Sequence, residues 1–298
     1  MVGSAIARRL SVEECDIVTA NRETLDLIDQ RSVQQYLRRE RPDVVVIAAA
    51  KVGGILANST YPVDFLYNNL MIASNVIEAA HRSDVNRVLF LGSSCIYPKF
   101  ADQPILEESL LTGPLEATNE WYAIAKIAGI KLAEAYRVQY GRDYISAMPT
   151  NLYGPGDNFD ATSSHVLPAL IRKAHEAKVK NTPSITIWGS GTPRREFLHA
   201  EDCADACTFL LNNYHGVGHI NVGVGWDLTI YDLVVKICEI VGYNGSITCD
   251  TSMPDGTPRK LMDTTKLQNM GWAPKINLED GISATYQWYL EKLSNGAE

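Results

Sequence analysis

Asp43-Val-Val-Val-Ile-Ala-Ala-Ala50 carries no polar side chain after its first position. A strand with one wet face would alternate apolar and polar residues. This run does not, so it reads as a strand covered on both faces, as in parallel sheets flanked by helices. Arg87-Val-Leu-Phe-Leu-Gly92 shares the pattern, and Asp143-Tyr-Ile-Ser-Ala-Met-Pro149 reads as the next strand. Upstream, Asp16-Ile-Val-Thr-Ala20 reads as a short strand ending at Asn21-Arg22. Helical stretches separate them, from Arg31 to Glu40 (closed by Pro42), from about Pro62 to Arg82, and through Tyr122 to Tyr140. Strand and helix alternating at roughly 30-residue intervals define an α/β chain with a doubly wound parallel sheet.

Beyond Asn151-Leu-Tyr-Gly-Pro155 the elements become shorter and mixed. Helices are expected from His165 to Lys178, through Cys207, from Ile230 to Val241 and from Leu278 to Leu293. Strands are expected at Ser184-Ile-Thr-Ile-Trp-Gly189 and His219-Ile-Asn-Val-Gly223. The expected organisation is a nucleotide-binding domain over 1–160 and a smaller mixed α/β domain over 161–298, with some later segments returning to the first sheet.

At 298 residues, 46% hydrophobic and 21% charged, the chain has ordinary globular composition. Its formal net charge of −8 speaks against a nucleic-acid partner, whose phosphates it would repel. No apolar run reaches the roughly 20 residues of a membrane span, and the amino end is charged too early for a signal peptide. Six cysteines lack Cys-x-x-Cys spacing, which points to reduced thiols in a cytoplasmic protein and to no metal site. Cys203 and Cys207, one helical turn apart, read as core residues.

In open parallel sheets, ligands bind beyond the carboxyl ends of the strands. Three polar clusters fall at such ends: Asn21-Arg22, Ser93-Ser94-Cys95 and Thr150-Asn151. Tyr122 and Lys126 lie four residues apart, one above the other on a helix face. There an ammonium can lower the pKa of a phenol and fit it for proton exchange with a carbonyl or alcohol oxygen.

Val2-Gly-Ser-Ala-Ile-Ala-Arg-Arg-Leu10 reads as the opening turns of an amphipathic helix. A dinucleotide site places a glycine-rich turn between a strand and such a helix, and Gly3 matches the last glycine of that turn. The first strand and the earlier glycines are then expected upstream of Met1. The fold expected is a Rossmann sheet lacking its usual first strand, which would lie between the strands near Asp16 and Arg87. Arg22 stands where the adenosine ribose is read, and an arginine there suits a 2′-phosphate, so NADP is expected over NAD.

With these residues the chain resembles the extended short-chain dehydrogenase/reductase family. The resemblance rests on Ala48-Ala-Ala-Lys-Val-Gly-Gly-Ile55, Leu91-Gly-Ser-Ser-Cys-Ile-Tyr-Pro98 and Asn119-Glu-Trp-Tyr-Ala-Ile-Ala-Lys-Ile-Ala-Gly129. It extends to Pro149-Thr-Asn-Leu-Tyr-Gly-Pro155 and Trp188-Gly-Ser-Gly-Thr-Pro-Arg-Arg-Glu-Phe-Leu-His199. It implies an enzyme that epimerises a GDP-linked 4-keto-6-deoxy sugar beside the ketone and then reduces the ketone with NADPH. In that implied site Cys95 and His165 exchange protons, Ser93 and Tyr122 hold the carbonyl oxygen, and Lys126 holds the nicotinamide ribose. His165 and Pro149, Thr150, Asn151 and Leu152 lie along the cofactor, with Lys51 near it. Lys173, Trp188, Arg195 and Asp255 hold the GDP-sugar, and the helices around Tyr67 and Tyr136 pair in a homodimer. Two other readings stay open: a 4-epimerase or 4,6-dehydratase of the same fold, and a catalytically silent binding protein.

Overall fold

The computed structural model describes residues 1–253 and 255–296. From the amino end the chain runs through α1 (Val2–Leu10), α2 (Gln30–Glu40), β1 (Val44–Ile47), α3 (Ile55–Thr60), α4 (Pro62–Arg82), β2 (Arg87–Leu91), α5 (Glu120–Tyr140) and β3 (Asp143–Pro149). It continues as β4 (Asn151–Tyr153), α6 (Val166–Lys180), β5 (Ser184–Trp188), β6 (Arg194–Arg195), β7 (Phe197–His199), α7 (Ala200–Asn213) and β8 (His219–Val222). Last come β9 (Leu228–Thr229), α8 (Ile230–Val241), β10 (Ser246–Asp250), β11 (Arg259–Lys260), α9 (Thr265–Asn269) and α10 (Leu278–Ser294).

The main sheet is parallel in the order β1-β2-β3-β8. Its unbroken apolar runs have a direct physical reason, because successive side chains enter two different cores. Val88 and Phe90 of β2, with Tyr144 and Met148 of β3, face α2, α4 and α5. Leu89, Leu91, Ile145 and Ala147 face the opposite way, against α1 and α7. Helices on both faces make the fold doubly wound. Cys203 and Cys207 of α7 are buried in that second core.

The α1 helix buries Ala5 and Ile6 against α7, and Arg8 and Arg9 pair with Glu201 and Asp205 at 3.1 and 2.8 Å. Two expectations at this end need correction. Asp16–Ala20 forms no ladder among the described residues, and Ile17 and Val18 stay exposed. A strand needs a paired neighbour to satisfy its backbone, and this segment has none, so Asn21-Arg22 is not a strand end. Instead Asn21 Oδ1 accepts the Glu23 and Thr24 N–H groups in a turn. The position beside β2 is taken by β1, so β2 is paired on both sides, and among the described residues the unpaired edges are the outer sides of β1 and β8.

A third core gathers α6, β5, α8 and α10 around Ile171, Ile187, Ile237 and Ile282. The second half of the chain also contributes α7 and β8 to the main sheet. Glu196, wholly buried, joins the parts: its carboxylate accepts N–H groups from Val224 at 2.6 Å, Gly225 at 2.8 Å and Met262 at 3.2 Å. Gly223 has no Cβ because one would lie 2.3 Å from a Glu196 oxygen.

Candidate active site

The seat of α5 against β2 is set by Gly129, where a Cβ would stand 2.5 Å from the Phe90 ring. That close approach lets Lys126, one turn beyond Tyr122, reach the end of β2 and donate to the Leu91 carbonyl at 2.7 Å. The Lys126 ammonium is buried, 4.8 Å from the Phe90 ring centroid and 5.7 Å from that of Tyr122. Burial pushes its pKa down to about 8.

Tyr122 meets Phe65 edge-on at 6.5 Å. Burial pushes its phenol up, Cys95 adds to the rise, and the Ser93 hydroxyl opposes it. The direction is opposite to the one expected from Tyr-x-x-x-Lys spacing. Losing the hydration of a phenolate outweighs an ammonium that lies over the ring and is engaged with a carbonyl. Tyr122 therefore holds its proton at neutral pH.

β2 ends at Leu91, and the chain passes through Gly92, where a Cβ would strike Met148 at 2.3 Å, into Ser93. Ser93 caps the single turn Ser94–Ile96, and the Cys95 thiol lies 3.2 Å from its hydroxyl oxygen. Cys95 is only 8% exposed. Burial pushes its thiol up, while Lys260, the Ser93 hydroxyl and Lys126 pull it down, and the net shift is upward. His165 stands at the N-cap of α6 on the facing wall, its pKa lowered by desolvation. Both shifts favour the uncharged forms, a thiol at Cys95 and an imidazole at His165.

Beyond β3, Thr150 N–H bonds the Val222 carbonyl at 3.0 Å and the Asn151 amide bonds the Glu196 carbonyl at 2.7 Å. On the facing wall, Lys173 donates to the Thr186 carbonyl at 2.6 Å and Trp188 is 58% exposed. Arg195 lies on β6. Asp255 accepts from the Ser190 N–H at 2.7 Å and from its hydroxyl at 2.9 Å. Every candidate residue from the sequence lines one continuous cavity of about 3080 Å³, Gly3, Arg22 and Lys51 included. A drug-sized ligand fills roughly 300–1,000 Å³, so this trough has room for a dinucleotide and a nucleotide-sugar together.

Some members sit differently from expectation. A Cβ on Gly3 would meet only Ala48, at an ordinary 3.8 Å, so the surroundings do not require glycine there. Arg22 is an exposed turn residue on the cavity rim, and Lys51 is paired with Asp64. Other cavity residues went unread in the sequence: Glu116, Asn119, Asp157 and Lys260. Among the described residues, buried oxygens of Asn119 and Asp157 have no hydrogen-bond partner, which suits groups that meet a ligand. Lys260 belongs to the Asp255-Gly-Thr-Pro-Arg-Lys260 stretch, whose closeness to Asp255 was the available signal.

A parallel doubly wound sheet with a Tyr–Lys pair beside a Ser-x-Cys turn defines a nucleotide-dependent oxidoreductase or epimerase site. The chain belongs to the NAD dependent epimerase/dehydratase family, whose model matches residues 1–223. It is 59% identical to the GDP-L-fucose synthase of Sinorhizobium fredii, over 99% of this chain and 94% of that protein. Among solved structures, it resembles a GDP-6-OMe-4-keto-L-xylo-heptose reductase from C. jejuni at 35% identity and TM-score 0.91, covering 98% of this chain and 95% of that one. A GDP-L-fucose synthetase from Naegleria fowleri bound to NADP matches at 28% identity and TM-score 0.90, over 100% of this chain and 93% of that one.

Proposed function

We propose that this chain converts GDP-4-keto-6-deoxy-D-mannose to GDP-L-fucose by 3,5-epimerisation followed by reduction of the 4-ketone. The observation that carries this reading is the meeting of Ser93, Cys95, Tyr122 and Lys126 on one wall with His165 on the other, around one cavity. The 59% identity to a GDP-L-fucose synthase supports it. Epimerisation next to a ketone needs a base to take a proton from one face of the carbon and an acid to return one from the other. Neutral His165 and protonated Cys95 suit these two parts. The negative charge that develops on the ketone oxygen is met by the Ser93 and Tyr122 hydroxyls, donors already in place before the charge forms. The same Tyr122 then protonates that oxygen as carbon 4 is reduced.

NADPH, when bound, supplies the hydride for carbon 4. The residues fit it: the amino end of α1 with Gly3 faces the cavity and suits the diphosphate, and exposed Arg22 suits the 2′-phosphate. Lys126 keeps N–H groups beyond its bond to Leu91 for the nicotinamide ribose. His165 and the Pro149–Leu152 turn line the same end. Lys173 and Arg195 neutralise the sugar's diphosphate, Trp188 offers an apolar face, and Asp255 accepts hydrogen bonds. In this reading 1–160 chiefly hold the cofactor and 161–298 chiefly the sugar nucleotide.

The test is solvent deuterium wash-in, followed apart from NADPH oxidation, in Cys95→Ser and His165→Gln. Each substitution is expected to stop exchange while NADPH still binds; normal exchange in both would overturn the acid–base assignment. Stoichiometric NADPH consumption separates this reaction from a 4-epimerase or 4,6-dehydratase, which recycle their nucleotide. The reading also places the enzyme in the cytoplasm as a homodimer through α4 and α5, where Tyr67 is exposed. Light scattering that returned the monomer mass of 32.9 kDa would remove the dimer.

A further inference from the structure

A short turn, Gly53-Gly54, leads from the end of β1 into α3 and lines the cavity between its two walls. On one side a Cβ at Gly53 would lie 3.1 Å from the Phe65 ring, and that ring meets Tyr122 edge-on. On the other side the Gly54 N–H donates to the Ser163 carbonyl at 3.1 Å. A Cβ at Gly54 would stand 2.8 Å from the Ser164 carbonyl oxygen, so no side chain fits there. His165 is the next residue. The turn is wedged between a ring that touches Tyr122 and the backbone that carries His165. Asn58 of α3 locks it, its side-chain amide donating to the Gly53 carbonyl at 2.8 Å and to the Gly54 carbonyl at 3.1 Å. These two acceptors fix which end of the amide is nitrogen, and Asn58 is only 5% exposed. Ser163 is also held from its own loop. Asp160 Oδ1 accepts its N–H and its hydroxyl, each at 2.9 Å, and the Asn158 amide donates to that hydroxyl at 2.9 Å.

We propose that the Gly53-Gly54 turn, locked by Asn58, is a positioning device that sets how far His165 stands from the Tyr122 wall. This role rests on the reading of His165 as the base of the epimerisation. His165 opens α6, whose Leu167, Leu170 and Ile171 pack in the core of the second half of the chain. The ketone oxygen is held by Ser93 and Tyr122 on the β2–α5 wall. A base carried by one core and aimed at a carbon held by another needs a fixed spacing, because a misplacement of about 1 Å can cost about 10²-fold in rate. The contact of Gly54 with Ser163 and Ser164 supplies that spacing one and two residues before His165. Reduction makes no such demand, since Ser93, Tyr122 and Lys126 all belong to one wall. The device therefore serves epimerisation and leaves hydride transfer untouched.

The test measures the two steps apart in Gly54→Ala and Asn58→Ala. Epimerisation is followed as solvent deuterium wash-in to GDP-4-keto-6-deoxy-D-mannose. The hydride step is followed in reverse, as the initial rate of NADP⁺ reduction by GDP-L-fucose, which calls on no epimerisation. Wash-in is expected to slow about 10²-fold in Gly54→Ala and about tenfold in Asn58→Ala, with hydride transfer within a factor of about three in both. Equal slowing of both steps overturns the device, as does normal wash-in in Gly54→Ala of parental melting temperature. If Gly54→Ala does not fold, Asn58→Ala is judged by the same two criteria. His165→Gln tells the two readings apart. Wash-in stopped there but normal in Gly54→Ala removes the device and keeps His165 as the base. Wash-in normal in His165→Gln removes the base, and the device with it.

Discussion

The two walls of the cavity are built on different plans. On the β2–α5 wall the chemical groups are anchored to backbone: Lys126 to the Leu91 carbonyl, and Ser93 and Cys95 to a capped turn at a strand end. All of them sit where two cores press against the sheet. On the facing wall His165 and Lys173 come from α6, Trp188 from β5, Arg195 from β6 and Asp255 from the loop before β11, and several are exposed. The first wall is preorganised, so its groups can oppose charge that appears only in the transition state. The second holds groups that a long, flexible substrate can gather as it binds. Chemistry and recognition are thus divided between largely buried side chains on one wall and largely exposed ones on the other.

That division is open to direct attack. Tyr122→Phe removes the proton donor and should lower kcat by about 10³-fold with KM little changed, measured as steady-state NADPH oxidation. An equal change in kcat and KM would contradict the preorganised wall. Lys126→Met should cost about 10²-fold in kcat. Lys126 also sets an alkaline limb: its folded pKa is lowered to about 8, so the ammonium and with it kcat are lost as pH rises through 8. Lys126→Arg, charged throughout that range, should erase this limb in a kcat–pH profile.

On the facing wall, Arg195→Ala should raise KM by about tenfold and leave kcat within a factor of about three, the loss of one charge-assisted contact. The smallest effect concerns stability. Asp157 is buried at the cavity edge, and burial raises its pKa from 3.8 to about 6. A carboxyl with a raised folded pKa favours folding in its protonated form. Its penalty is therefore absent below about pH 4 and complete above about pH 6. Asp157→Asn should raise stability by about 2 kcal/mol at pH 8 and leave it unchanged at pH 3.5. Denaturant melts at the two pH values check this.

Much of the layered fold was legible because each buried strand writes its environment into an unbroken apolar run, as at Val88–Leu91. The helices through Lys126 and Cys207 were equally plain. Asp16–Ala20 was misread because apolar character marks a candidate strand, whereas the ladder depends on a neighbour that local sequence does not reveal. In the site, Ser93, Cys95, Tyr122 and Lys126 were readable from spacing together with family-like motifs. The direction of the Tyr122 shift was not, since spacing records the nearby charge and says nothing of lost hydration. Lys260 escaped notice for a related reason. Its place beside Arg195 is created by a short ladder between segments 65 residues apart, and no local periodicity announces it.

Glu196 gives the molecule a property of its folding rather than of its chemistry. Its carboxylate is satisfied only when the segments around Val224 and Met262 have both arrived. A half-assembled chain, with either segment undocked, would hold an under-solvated charge, at a cost of several kcal/mol. Such intermediates are disfavoured, so the carboxylate couples the docking of the Val224 segment to that of the Met262 segment.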